Sequence, residues 1–189
     1  MDDERQVSFT LGGMCFEYDE QKNRTNICKH GISFKSAARV FFDYDRIELF
    51  DEEHSEEENR YDTIGDTSAG MLRQGGGNTL IGQANDILFV VYTERIRVEE
   101  NGEKTDVTRL ISARLATNFE RGLYYGKCND MTSRLEKELA FTEKELAELE
   151  RARKMPITFD EDCPEVTPEK ALKFRRVNPP RKRLDAHGA

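Results

Sequence analysis

The chain has 189 residues, 37% hydrophobic and 35% charged, with a formal net charge of −8; this suffices for one core domain plus an extension and contains no apolar run of membrane-spanning length. Residues 1–127 carry 16 Lys+Arg against 24 Asp+Glu, while residues 128–189 carry 13 of each, so the larger part is acidic and unsuited to broad nucleic-acid binding, in which phosphate contacts dominate. Four cysteines at 15, 28, 128 and 163 stand apart without a C-x-x-C pair, and Met1 leads into acidic Asp2-Asp3-Glu4, so a cytoplasmic protein with reduced thiols is expected, without a secretory leader or zinc framework.

Residues 7–17 read as a strand, with Val7, Phe9 and Leu11 alternating. Asp19 suits an N-cap for a helix over 20–29, and Gly31 stands where a left-handed C-terminal cap belongs. Ser33 caps a second helix over 34–42, with Phe34, Ala37, Ala38 and Phe41 on one face. Strands are expected near 46–50, 60–65, 86–94 and 107–114. The run Ile87-Leu88-Phe89-Val90-Val91-Tyr92 is apolar throughout, as a central strand requires. Asn101-Gly102 signals a hairpin turn between the last two strands, and a helix follows over 116–126.

A further helix is expected over 133–153, where Ser133 and Glu136 match a capping box and Leu135, Leu139, Thr142, Leu146 and Leu149 form a heptad-like seam. The seam packs on its own domain, or it serves a partner or self-association. All five prolines lie between 156 and 180, which marks an extended or disordered tail. The chain therefore divides into a core over 1–127, an amphipathic helix within 128–154 and a tail over 155–189.

The segment Phe16-Glu17-Tyr18-Asp19, continuing through Lys22-Asn23 and Asn26-Ile27-Cys28-Lys29-His30-Gly31-Ile32-Ser33-Phe34, closely resembles the opening signature of BrnT toxins. Further blocks match in the same order: His54-Ser55-Glu56 leading to Arg60-Tyr61 and Ile64-Gly65, then Phe89 to Arg95, then Arg109 to Arg114 with Ala116, Glu120-Arg121 and Tyr124. The resemblance implies an α+β, RelE-like fold, with a mainly antiparallel sheet packed against helices, plus here a C-terminal helix and tail. It implies an endoribonuclease of a type II toxin–antitoxin system, a BrnA-type antitoxin partner, and DNA contact only through the antitoxin complex. Residues 67–86 and the hairpin around 96–106 are longer than that pattern, and everything beyond 127 is additional. In the tail, Asp160 to Glu169 followed by Phe174-Arg175-Arg176 resembles the N-terminal region of BrnA antitoxins without their dimerising, DNA-binding part. The alternative reading is an acidic, proline-rich solvated tail.

Metal-independent RNA cleavage uses the substrate's own 2′-OH. The protein must take its proton, stabilise charge on the phosphate and protonate the leaving oxygen. The matched blocks nominate Lys29, His30, Arg60, Arg95 and Arg114 as catalytic residues. Lys22, Arg109 and Tyr92 are nominated for substrate binding, and Glu94 and Glu120 as carboxylate partners. No metal or cofactor is expected. Each nomination has a plainer alternative: His30 as a helix cap, each arginine as a surface ion pair, and Lys22 as a solvated helix residue. His54 is expected to be exposed in a solvated acidic loop. The competing function is a binding module that engages an antitoxin, or contributes to operon repression, without cleaving RNA.

Overall fold

Gly12 and Gly13 divide the first expected strand. Their φ angles of 52° and 83° suit a tight turn that residues with side chains adopt poorly, so the segment folds as a hairpin. The computed structural model describes residues 6–55, 58–67, 86–99, 102–127 and 141–178. The hairpin comprises β1 (Gln6–Leu11) and β2 (Met14–Asp19). Helix α1 (Glu20–His30) begins where Asp19 accepts the Lys22 N–H at 2.7 Å, and ends at Gly31 with φ 71°. A side chain at Gly31 would also press on the Ala152 backbone at 2.9 Å. Ser33 caps α2 (Phe34–Ala37), which tightens into a 3-10 turn over Ala38–Phe42 and so does not continue as the α-helix expected to 42.

Four strands follow: β3 (Ile47–Phe50), β4 (Arg60–Asp66), β5 (Ile87–Val98) and β6 (Lys104–Leu115). Gly102, at φ 83°, donates its N–H to Glu99 in the β5–β6 connection. Helix α3 (Asn118–Lys127) comes next, then α4 (Glu143–Ala152), α5 (Pro168–Lys173) and β7 (Arg175–Arg176). The sheet runs β1-β2-β6-β5-β4-β3-β7, antiparallel except for the β2–β6 pair. The fold is thus α+β with a mixed, mostly antiparallel sheet.

Both faces of the sheet are covered, which is why Ile87 to Tyr92 lacks alternation. On one face Phe16, Tyr18, Val90 and Tyr92 meet Phe34 and Phe41, with Leu149 and Ala152 of α4. On the other, Ile47, Ile64, Phe89 and Val91 meet Tyr124 of α3. That second core is completed by Cys163, Val166, Ala171 and Phe174, all from the expected tail. Within 155–178 these four side chains therefore pack on the sheet, with Phe174 fully buried. Proline does not prevent this: Pro168 occupies the first turn of α5 behind the cap Thr167, where no backbone donor is missed. The helix expected over 133–153 is observed as Glu143–Ala152, with Thr142 and Glu145 forming the capping box. Ser133 and Glu136 lie outside the described residues.

Strand β2 covers β6 only over Val107–Arg109, leaving the β6 edge open beyond it. Asn26 fills the gap. Its side-chain amide donates to the Ala113 carbonyl at 2.8 Å and to the Ile32 carbonyl at 2.7 Å, and its oxygen accepts from the Ala113 N–H at 3.0 Å and Ser112 Oγ at 3.2 Å. One side chain thus imitates a neighbouring strand and ties α1 to the sheet. Asn26→Ala leaves a buried backbone donor and acceptor unpaired, and is expected to destabilise the fold by about 2–4 kcal/mol in denaturant unfolding. Exposed Thr25→Ala, one residue away, is the control, with an expected change of about 0.5 kcal/mol or less.

Candidate functional site

Strand register assembles the site. Arg60 on β4 lies opposite Thr93 on β5, Thr93 opposite Arg109 on β6, and Arg109 beside Glu17 on β2. These four share the face that carries the second core. An extra residue in β6, where the register shifts between Val91 and Tyr92, keeps Arg109 on the same face as Ser112 and Arg114. Arg95 also projects from this face, two residues along β5. Helix α1, held by Asn26, forms one wall with Lys22 and Lys29, and the turn after β3 forms the opposite wall with His54. The resulting cleft measures about 640 Å³, and its lining includes Lys22, His54, Glu58, Arg60, Arg95 and Arg109. A smaller pocket of about 330 Å³ adjoins it, sharing Lys22 and Arg109 and adding Lys29, His30 and Asp160.

The expected site residues divide by their surroundings. Arg109 borders both pockets, and its charge helps to hold the Glu58 carboxyl below its usual range, after Arg95. Lys22 is half-exposed and Arg60 partly buried, and both reach Asp162, at 3.3 and 3.7 Å. Lys29 bonds Asp160 at 2.5 Å, and that bond raises its pKa. Burial alone would raise the Asp160 carboxyl, but Lys29 outweighs it and holds the acid below its usual range. His30 is buried. Desolvation lowers its pKa, Asp160 at 3.9 Å opposes this, and Arg114 and Lys29 reinforce it. Its Nε2 lacks a hydrogen-bond partner and its Nδ1 lies 3.4 Å from Thr158 Oγ1.

Arg95 is held between Glu17 at 3.2 Å and Glu58. Arg114 is 1% exposed, with both terminal nitrogens on Glu120 at 2.7 Å and one also on the Pro164 carbonyl at 2.9 Å. Burial works against its charge, and the bond to Glu120 outweighs that cost. Arg114 thus ties α3 and the tail to the sheet beneath the cleft. Tyr92 points away from the cleft, into the first core. It stacks on Tyr61 with centroids 5.4 Å apart and gives its hydroxyl to Glu48. Burial, then Glu48, raise its pKa.

His54 is the residue that sequence reasoning set aside. It is about one-third exposed at the cleft, and its Nδ1 meets the buried Asp51 carboxylate at 2.7 Å. That contact orients the ring so that Nε2 remains available. The visible signal was the Asp51–His54 spacing of three, which a single 3-10 turn brings together. Asp51, Glu53 and His54 place one ligand atom each within 4.8 Å of one another, a set able to hold a cation. In this chain the cation is the Lys170 ammonium, 3.6 Å from Asp51 and 2.8 Å from Glu53.

A family model described as "Ribonuclease toxin, BrnT, of type II toxin-antitoxin system" matches residues 18–73. Lys22, Lys29, His30, His54 and Arg60 fall within the match; Arg95, Arg109 and Arg114 lie beyond it. No curated protein matches the chain. Among the described residues, no helix is long and apolar enough to cross a membrane.

Asp62 lies under the tail beside this site, with one buried carboxylate oxygen lacking a partner. Burial, then the nearby Asp51, push its pKa up to about 7, against the charges of Lys170 and Arg60. A carboxyl raised in the folded state favours folding below its unfolded pKa, and that contribution is lost as pH rises through about 7. Asp62→Asn is therefore expected to stabilise the protein at pH 8, by an amount on the order of a few kcal/mol, and the gain should vanish near pH 4. Thermal unfolding across that range tests this, and a gain independent of pH would contradict it.

Proposed function

We propose that the chain is an endoribonuclease toxin of the type described by its matching family model, acting in the cytoplasm and neutralised by a BrnA-type antitoxin. The carrying observation is the cleft lined by both Arg109 and His54, the latter oriented by Asp51. A planar guanidinium suits the two non-bridging oxygens of a phosphodiester, and Arg60 and Lys22 supply further charge beside it. His54 takes the proton from the substrate 2′-OH, and Asp51 steadies the imidazolium that forms. The 2′-oxygen attacks phosphorus, a 2′,3′-cyclic phosphate forms, and the 5′-oxygen leaves. Lys29 and Lys22 on the facing wall are the donors for that oxygen. The scheme requires no metal. His30, buried and with its pKa lowered by desolvation, shapes the wall and does not carry the proton. Arg114 and Arg95 act by holding neighbouring elements in place. Operator DNA is contacted only through the complex with the antitoxin.

A second reading, a binding module without catalysis, is favoured by the carboxylates that already clasp Arg95 and Lys29. The two readings part on His54. With the purified chain and bulk RNA, His54→Ala is expected to lower the cleavage rate about 100-fold or more while leaving the melting temperature nearly unchanged. Arg109→Ala should raise KM and lower kcat together. Induced expression should arrest growth, and both substitutions should relieve the arrest. Cleavage that proceeds equally well in both variants overturns the catalytic assignment.

A further inference from the structure

We infer that residues 157–176 are an internal blocking segment whose Asp160–Asp162 turn occupies the phosphate positions of the cleft. This rests on reading the cleft as an RNA site, and it adds the regulation of that site. The turn is built: Asp160 Oδ1 accepts the Cys163 N–H at 2.9 Å, and Asp160 and Cys163 form an isolated β-bridge. It aims Asp160 at Lys29 and His30, and Asp162 at Lys22 and Arg60. These carboxylates hold the cations that the cleft would otherwise offer to RNA. Arg109 lines the same pocket as the two carboxylates.

The charge match has two signs. Acidic residues of the segment meet the cationic end of the cleft, whereas Lys170 meets Asp51 and Glu53 at the acidic end. Lys170 therefore also sits on the carboxylate that orients His54. Further along, Arg176 pairs with Asp45 at 3.4 Å as β7 adds to the outer edge of β3. A solvated tail has no reason to place both signs opposite their complements.

The segment is anchored apolarly within and by polar contacts upstream. Phe174 and Cys163 are fully buried in the second core. Upstream, Arg153 grips Asp86 at 2.8 and 2.9 Å, and Glu148 accepts the Ser33 N–H. The exposed ion pairs of the turn are individually weak and screened by salt. Tethering supplies what they lack, because the segment is always present at high local concentration. Any ligand must thus compete with the turn, while the anchors keep the segment seated.

The test uses the full chain, since the segment completes a core. Asp160→Asn/Asp162→Asn retains the turn's oxygens and removes two charges. Glu161→Gln/Glu165→Gln changes net charge equally at exposed positions outside the cleft contacts. Binding of a single-stranded DNA oligonucleotide, which lacks the 2′-OH and cannot be cleaved, is measured against salt for both variants and the parent. Asp160→Asn/Asp162→Asn should bind roughly tenfold tighter at low salt, with a log–log salt slope steeper by about 1–2, as the released cations take up phosphates. The Glu161→Gln/Glu165→Gln control should match the parent. Equal affinity in all three proteins, or an equal gain in the control, overturns the inference. RNA cleavage in the same samples separates it from the proposal beneath it. Tighter binding without cleavage in any sample upholds blocking and defeats the ribonuclease reading. Unchanged binding with His54-dependent cleavage does the reverse.

Discussion

The Asn26 amide is the constraint on which the rest of the site depends. A sheet edge left open by a three-residue pairing must satisfy its backbone groups, and a buried strand edge without partners is costly. Asn26 is short enough to sit flat against β6 and carries a donor and an acceptor in the geometry of a peptide group. Closing the edge with a helix instead of a strand brings Lys22 and Lys29 over the row formed by Arg60, Thr93 and Arg109. Gly31 then lets the chain turn away at once, and the same glycine lets α4 approach. Cap, edge closure and close packing are one connected device, from α1 to α2.

Electrostatics explains how a chain of net charge −8 gathers cations in one cleft. The acidic residues are distributed as partners: Glu120 holds Arg114, Glu17 and Glu58 hold Arg95, and Asp160 and Asp162 hold Lys29, Lys22 and Arg60. Net charge sums over these pairs and conceals where the cations are. The buried Arg114–Glu120 pair is the costly kind, in which removing either partner strands the other charge. The pairs at the cleft mouth are the cheap kind, which a polyanion can replace. The difference in burial separates arginines that hold the fold from arginines that can meet a ligand.

Much of the chain was legible residue by residue. Asp19, Gly31 and Ser33 act as the caps their types suggest, and the apolar run 87–92 is the central strand. The motif that carries the resemblance, Lys22 through Phe34, coincides with the edge-closing device. Other parts were legible only in part. Gly12-Gly13 marked a turn that the alternation of Val7, Phe9 and Leu11 obscured. Tyr92 was placed at the site because its neighbours in sequence are there, although alternation sends it to the opposite face. His54 looked like one more polar residue in an acidic loop, because the partner that orients it is also part of that loop's acidity.

By itself the sequence determined the local structure: caps, periodicities, most of the strands and the motif from Lys22 to Phe34, all of which depend on residues within a few positions of one another. Only the tertiary structure decided which charges remain available. Arg60 meets Asp162 across 102 positions and Lys29 meets Asp160 across 131, and no local pattern encodes such pairings. The tail shows the same limit. Its prolines and charges read as solvated because each acidic or basic residue has no partner nearby in the chain. Folded, Asp160, Asp162, Lys170 and Arg176 face their complements and Phe174 finds a core, so burial and pairing with distant residues override the local preference for solvent there.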